Sequence, residues 1–261
     1  MRPPPKTSVT YGLLESLGQA IVTGEYEGRS FPTEAELSER YRASRSVTRE
    51  AVKMLTAKGL LSARPRHGTV IEPESAWNLL DPDVLRWLLE RKFSLGLLAH
   101  FTEMRLGIEP TAAALAAQRA DRAAVDKIAR ALQRMEAAEA GRDDPLLADI
   151  AFHVAILEAT RNPFYAQLYE LVNTALRISI HFTNGIQGHT ASLPEHTAVF
   201  HAIEARDPDG AREHMHRIVA DVLALGRRPG PRARAGRPAG RSRRQARAGR
   251  RRGVLTIAQS S

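Results

Sequence analysis

Ser44-Arg45-Ser46-Val47-Thr48-Arg49-Glu50-Ala51-Val52-Lys53-Met54-Leu55-Thr56-Ala57-Lys58 is the stretch that decides the fold. Val47, Ala51, Val52, Leu55 and the stem of Lys58 follow the spacing of a buried helix face. Ser44, Arg45, Ser46, Thr48 and Arg49 crowd the first turns with short hydroxyls and two guanidiniums. Ser44 is placed to cap the helix by accepting from a first-turn N–H. A helix start is electropositive and normally draws acids. Arginines there imply an anion outside, and this residue set suits phosphates and guanine edges in a major groove. A solvated basic helix end is the competing explanation, and the flanking segments arbitrate.

Upstream, Leu13, Leu17 and Ile21 recur every four residues within a first helix over Thr7–Gly24. Phe31-Pro32 then leads into Thr33-Glu34-Ala35-Glu36, a Thr-x-x-Glu capping box opening a short second helix. A helix, a tight turn at Tyr41-Arg42-Ala43 and a polar-tipped helix make a helix-turn-helix. Downstream, Leu60–Ile71 places two β-prone pieces around Arg64-Pro65-Arg66-His67-Gly68, a hairpin signal. In this order the hairpin reads as a wing whose Arg64, Arg66 and His67 reach a minor groove. A solvated turn is the alternative.

Composition bounds the rest. At 261 residues with 43% hydrophobic content, the chain can bury a sizeable core in two modest domains or one large one. It has no cysteine, which removes disulfides and thiolate metal sites and fits a reducing, cytoplasmic setting. The opening Met1-Arg2-Pro3-Pro4-Pro5-Lys6 is not followed by the about 7–15 apolar residues of a signal peptide. No apolar run reaches the roughly 18 residues of a membrane span, so no membrane partner is expected. The net charge of +9 is localised: Gly226 to Arg252 carries twelve arginines and no acid. Without them the 38 bases fall to 26 against 29 acids, a net charge of −3. The tail over 226–261 is therefore expected to be disordered. It either binds DNA phosphate non-specifically or does nothing specific.

Residues 10–72 resemble the winged helix-turn-helix domain of the GntR family of bacterial transcription regulators. The resemblance rests on Phe-Pro-Thr-Glu-Ala-Glu-Leu (31–37), Ser-Arg-Ser-Val-Thr-Arg-Glu-Ala (44–51) and Gly-Leu-Leu…Arg-His-Gly-Thr-Val (59–70), with matching spacing. It implies that Arg45 and Arg49 contact operator bases and phosphates. It further implies that Ser44, Ser46 and Thr48 bind the backbone or tune base choice, and that Gly68 lets the wing tip approach the minor groove. Ala35 stands where many members carry an arginine.

Glu72 to Asp83 reads as a linker, broken by Pro73 and Pro82 and packed through Trp77, Leu79 and Leu80. From Asp83 onward helical periodicity is continuous. The segments 83–90, 94–119, 122–140, 145–160, 163–183, 193–205 and 208–225 predict an all-α antiparallel bundle. The chain is thus read as mainly α: a DNA-binding domain over 7–72, a linker over 73–82, a helical domain over 83–225 and the tail.

Within the bundle, Asp149 and His153 lie one turn apart among Ile150, Phe152, Val154 and Ile156. An inward carboxylate and imidazole at this spacing grip a divalent cation once a third ligand joins them, or else form a hydrogen bond. Residues 83–225 resemble the ligand-sensing domain of the FadR subfamily, through Glu-Met-Arg…Glu-Pro (103–110), Asp-Ile-Ala-Phe-His (149–153), Thr-Arg-Asn-Pro (160–163), Glu-His-Thr-Ala-Val-Phe-His-Ala-Ile (195–203) and Asp-Pro-Asp-Gly-Ala-Arg-Glu-His-Met (207–215). That resemblance implies a divalent ion, often zinc or nickel, on Asp149, His153 and His196. The subfamily's fourth histidine falls on Ile218, leaving three protein ligands or a substitute in His214. Arg105 and Arg177 match pocket arginines, which take a carboxylate in bidentate fashion or form interhelix salt bridges. Residues 77–87 resemble the linker of a sugar-acid-responsive branch. That likeness implies a hexonate-type effector such as galactonate, with Asn173 and Asn184 meeting its hydroxyls.

The function implied is a homodimeric repressor of a sugar-acid catabolic operon, released from operator DNA by its effector. A metal-dependent hydrolase built on Asp149, His153 and His196 is the rival, though no further general base stands out. A non-specific binder acting through the arginine tail is the third possibility.

Overall fold

A computed structural model describes residues 8–92, 94–187 and 192–227, with side chains over 8–92, 94–180 and 192–222. Helix α1 (Val9–Val22) is capped by Ser8, which accepts from Tyr11 N. It buries Leu13, Leu14, Leu17 and Ile21. In α2 (Glu34–Arg40) both halves of the capping box form: Glu36 N donates to Thr33 Oγ1 at 3.3 Å, and Thr33 N donates to Glu36 Oε2 at 2.8 Å. The turn to the next helix bends at Arg42, which sits in the left-handed region at φ 50°. Helix α3 (Arg45–Ala57) follows, capped by Ser44, and its buried residues are Thr48, Ala51, Val52 and Leu55. Strands β1 (Leu61–Arg64) and β2 (Gly68–Ile71) pair antiparallel, with Leu61 opposite Ile71 and Arg64 opposite Gly68. Helix-turn-helix and wing are therefore both present.

Gly59 joins α3 to the wing at φ +77°, and a Cβ there would stand 2.3 Å from the Ala76 carbonyl oxygen. Only glycine meets both demands. The linker differs from expectation in one respect. Trp77 is half-buried and donates Nε1–H to the Glu72 carbonyl at 2.9 Å, but Leu79 and Leu80 are exposed. The short 3₁₀ turn Glu74–Ala76 leaves those two side chains facing away from the core.

Helix α4 (Pro82–Leu88) begins with Asp81 as cap and Pro82 at its first position. Val84, Leu85, Trp87 and Leu88 join one apolar cluster with α1, α3, Leu98 and Phe101, and with Ala175 and Ile178 of the helical domain. The Trp87 ring fills the space over Gly18, where a Cβ would come within 2.2 Å of it.

The remaining helices are α5 (Leu95–Arg119), α6 (Arg122–Glu139), α7 (Pro145–Ala159), α8 (Pro163–Gln167), α9 (Tyr169–Gln187), α10 (Leu193–Glu204) and α11 (Pro208–Arg227). The single helix expected over 163–183 is two, broken at Leu168. Alanines 112, 113, 116 and 117 on α5 are buried, and α11 packs along α5. From Ala148 to Leu157 helix α7 is buried or half-buried on every side, and it packs against α5, α6 and α9. It carries Asp149 and His153 into the second core. Among the described residues no helix is long and apolar enough to cross a membrane. The expected disordered tail lies, from residue 228 on, outside the described residues; Gly226 and Arg227 belong to α11.

Candidate DNA-reading surface and metal centre

At the tip of α3, Ser44, Arg45, Ser46 and Arg49 are all exposed. Ser44 Oγ accepts from Val47 N at 3.3 Å and lies 2.9 Å from Ser46 Oγ, so the cap and its neighbour share one hydroxyl pair. Arg49 keeps 62% of its side chain exposed and touches Glu34 Oε2 at 3.3 Å. Thr48 corrects the sequence reading. It is fully buried, 3.0 Å from Ser38 Oγ and 3.3 Å from the Ser44 carbonyl. The reason is angular: position 48 lies three and seven residues before Ala51 and Leu55, on the buried face. Its hydroxyl ties α2 to α3 and is not offered to DNA.

The wing loop is Pro65-Arg66-His67, all exposed. Arg66 adopts φ 66° and Gly68 φ 73°, and His67 Nδ1 lies 3.1 Å from the Pro65 carbonyl. Arg64 pairs with Glu72 at the base of the hairpin, so Arg66 and His67 form the tip.

In the helical domain, α7 and α10 bring together Asp149, His153 and His196, each buried. His196 Nε2 lies 3.1 Å from Asp149 Oδ1, His153 Nε2 lies 3.6 Å from the same oxygen, and the two Nε2 atoms are 3.4 Å apart. Among the described residues Asp149 Oδ1 has no hydrogen-bond partner. A buried orphan carboxylate oxygen facing two ring nitrogens is costly unless a ring proton or a metal ion stands among them. Ligands at about 2.1 Å from a tetrahedral ion sit about 3.4 Å from one another. The three observed separations match the edges of such a face, so the residues fit the ion the sequence implied.

Both imidazoles are oriented from behind. His196 Nδ1 is 2.8 Å from the Ser192 carbonyl, and His153 Nδ1 is 2.5 Å from Glu109 Oε2. Outer contacts of this kind turn Nε2 toward a metal. Glu109 was missed by the sequence reading, although Arg105-x-x-x-Glu109 is a legible i,i+4 pair. Burial opposes the charge on His153, but the carboxylates of Glu109 and Asp149 outweigh it and push its pKa up to about 9. Burial would raise the Glu109 and Asp149 pKa values. Arg105 and His153 instead bring Glu109 down to about 2, and the two histidines hold Asp149 far below the carboxylate range.

Arg105 is 1% exposed, with Nε 2.5 Å from Glu109 Oε1 and Nη2 3.3 Å from Oε2. Its partner is thus on its own helix, not across an interhelix bridge. It also feels Asp149 electrostatically, which places it at this centre. On α9, half-buried Arg177 donates Nε–H to Asn173 Oδ1 at 3.1 Å. The side chain of Asn184 lies outside the described residues. His214 does not join the cluster; its Nδ1 faces Glu195 Oε2 at 3.5 Å.

Comparison with known proteins identifies both domains. Residues 12–71 match the bacterial regulatory proteins of the gntR family, and residues 100–221 match the FCD domain. The galactonate operon transcriptional repressor of Escherichia coli (strain K12) is 35% identical over 210 residues, covering 78% of this chain and 91% of that protein. The chain belongs to the GntR family of bacterial transcription regulators. The HTH-type transcriptional repressor NanR of Klebsiella aerogenes is 29% identical over 248 residues, 87% of this chain and 90% of that protein. A solved structure described as "Lar controls the expression of the Listeria monocytogenes agr system and mediates virulence" shares the fold. Its TM-score is 0.51 at 18% identity, covering 85% of this chain and 98% of that one. A family of DNA-binding regulators sets aside the hydrolase reading.

Proposed function

We propose that the protein is a homodimeric, sugar-acid-responsive repressor whose sensing domain holds a divalent metal ion on Asp149, His153 and His196. The observation that carries this reading is the buried orphan oxygen of Asp149, set against two oriented imidazoles in a chain whose α3 tip is bare and basic. A helix-turn-helix reads one half-site, so two copies are needed for a palindromic operator. Arg45 and Arg49 meet base edges and phosphates, Ser44 and Ser46 meet the backbone, and Arg66, His67 and Gly68 enter the adjacent minor groove.

In the helical domain a bound metal supplies Lewis acidity toward carboxylate and hydroxyl oxygens. With both imidazoles neutral, the charges of Arg105, Glu109, Asp149 and a divalent ion sum to +1. An uncompensated buried charge is unfavourable, so the loaded centre favours a monoanion. A sugar monocarboxylate meets that demand, and its hydroxyls suit Asn173 and Arg177. Galactonate is the first candidate, because a relative's name carries it. Effector then shifts the population toward an arrangement that fits the operator poorly, which requires different affinities for the two states.

Thermal-shift measurements with galactonate, gluconate and a neutral hexose, with and without chelator, test the reading. Stabilisation by a sugar acid, lost on chelation and accompanied by release of operator DNA, is the expected result. Equal stabilisation in chelator rejects the metal's role, and no response to any acid rejects the effector class.

A further inference from the structure

A second cluster of buried charge lies outside that centre, where α3 ends against the linker. Lys58, the C-cap of α3, places Nζ 2.8 Å from both oxygens of Asp81 and 2.8 Å from Asp83 Oδ2. The three side chains are only 13%, 18% and 11% exposed. Burial opposes the ammonium, but the hydrogen bonds it donates to the two carboxylates outweigh that and hold Lys58 above its ordinary pKa. The carboxylates are themselves fixed. Asp81 caps α4 by accepting from Asp83 N and Val84 N. Asp83 accepts from the Tyr11 hydroxyl of α1 at 3.2 Å and pairs with Arg86 at 2.8 Å, and Arg86 reaches Glu15 of α1. The backbone repeats the connection, since Asn78 N donates to the Lys58 carbonyl at 2.9 Å. Helix α4 in turn packs against α9.

We propose that Lys58 is a positioning residue for operator binding: clamped by Asp81 and Asp83, it fixes the direction of the recognition helix relative to α4. The lever makes the effect large. Thirteen helical residues span about 20 Å, so a 10° tilt pivoting at Lys58 moves the Ser44 end by about 3 Å. That displacement is as long as a hydrogen bond, and base contacts do not survive it. Removing the ammonium also leaves two carboxylates facing each other in a poorly solvated place, which drives the linker away from the end of α3.

The test uses the full chain and operator DNA selected from random sequence by the wild-type protein. The chain has no cysteine, so Ala63→Cys on the wing and Gln133→Cys on α6 accept spin labels cleanly. Lys58→Met is expected to weaken operator binding at least tenfold and broaden the label-to-label distances. Binding to random duplex should stay within twofold, and Lys58→Arg should restore most of the operator affinity. Asp83→Asn gives the same pattern more mildly and serves if Lys58→Met does not fold. Met135→Ala, in the other core, controls for lost stability. Operator affinity within twofold of wild type, unchanged distances, or an equal loss in Met135→Ala at matched melting temperature overturns the proposal.

Discussion

Removing the metal should reverse how the protein's stability depends on pH. Without an ion, His153 carries a proton between Glu109 and Asp149, and its pKa rises from 6.5 to about 9 on folding. A rise of that size in a fully buried group is worth on the order of 3 kcal/mol. Because the folded value is the higher one, this stability is complete below pH 6.5 and disappears as the pH climbs to 9. For a chain of this size, about 3 kcal/mol corresponds to about 6–12 °C in Tm. A metal needs the neutral imidazole, so proton and ion compete for His153. Apparent metal affinity should therefore rise about tenfold per pH unit toward pH 9.

The assay is a pair of Tm curves from pH 6 to 9, in chelator and in equimolar nickel, with His153→Asn as reference. Chelator competition at each pH supplies the affinity slope. The metal-free Tm should fall relative to His153→Asn as pH rises, while the gap between loaded and metal-free protein widens. A metal-free curve parallel to that of His153→Asn, or a metal affinity independent of pH, refutes the charge arrangement argued for this centre.

Three further outcomes are expected. Glu109→Gln should weaken metal binding about 10–100-fold by freeing the His153 ring, read by competition with a chromophoric chelator. Thr48→Val should cost about 0.5–1.5 kcal/mol of stability by removing the hydroxyl contact with Ser38, which keeps its bond to the Glu34 carbonyl, read by denaturant unfolding, and leave the selected operator sequence unchanged. Arg49→Ala should cost about 1–3 kcal/mol on operator and much less on random duplex, read by titration at fixed salt; equal losses on both would place Arg49 on phosphate alone.

Legibility in the sequence followed the range of the interaction. The Thr33–Glu36 box, the Ser44 cap and the wing turn at 65–68 involve residues within a few positions, and each forms as read. Thr48 was misplaced by chemistry: a hydroxyl beside two arginines looks like a phosphate ligand, whereas its helical angle puts it inside, where Ser38 satisfies it. Leu79 and Leu80 looked like packing residues because they are apolar, but a linker that turns at Glu74–Ala76 spends only Trp77 on the core. The contact of Glu109 with His153 and the Lys58 clamp were invisible for a different reason. Their partners lie 44, 23 and 25 positions away, and no local pattern announces which face of which helix will oppose them. Both are carboxylate contacts that orient another residue. Such residues have no signature of their own type, because a Glu beside an Arg, or an Asp at a cap, already has a sufficient local explanation. The fold alone gives Glu109 and Asp83 their second partners. Perturbing those second partners, and leaving the local ones intact, separates the functional role from the structural one.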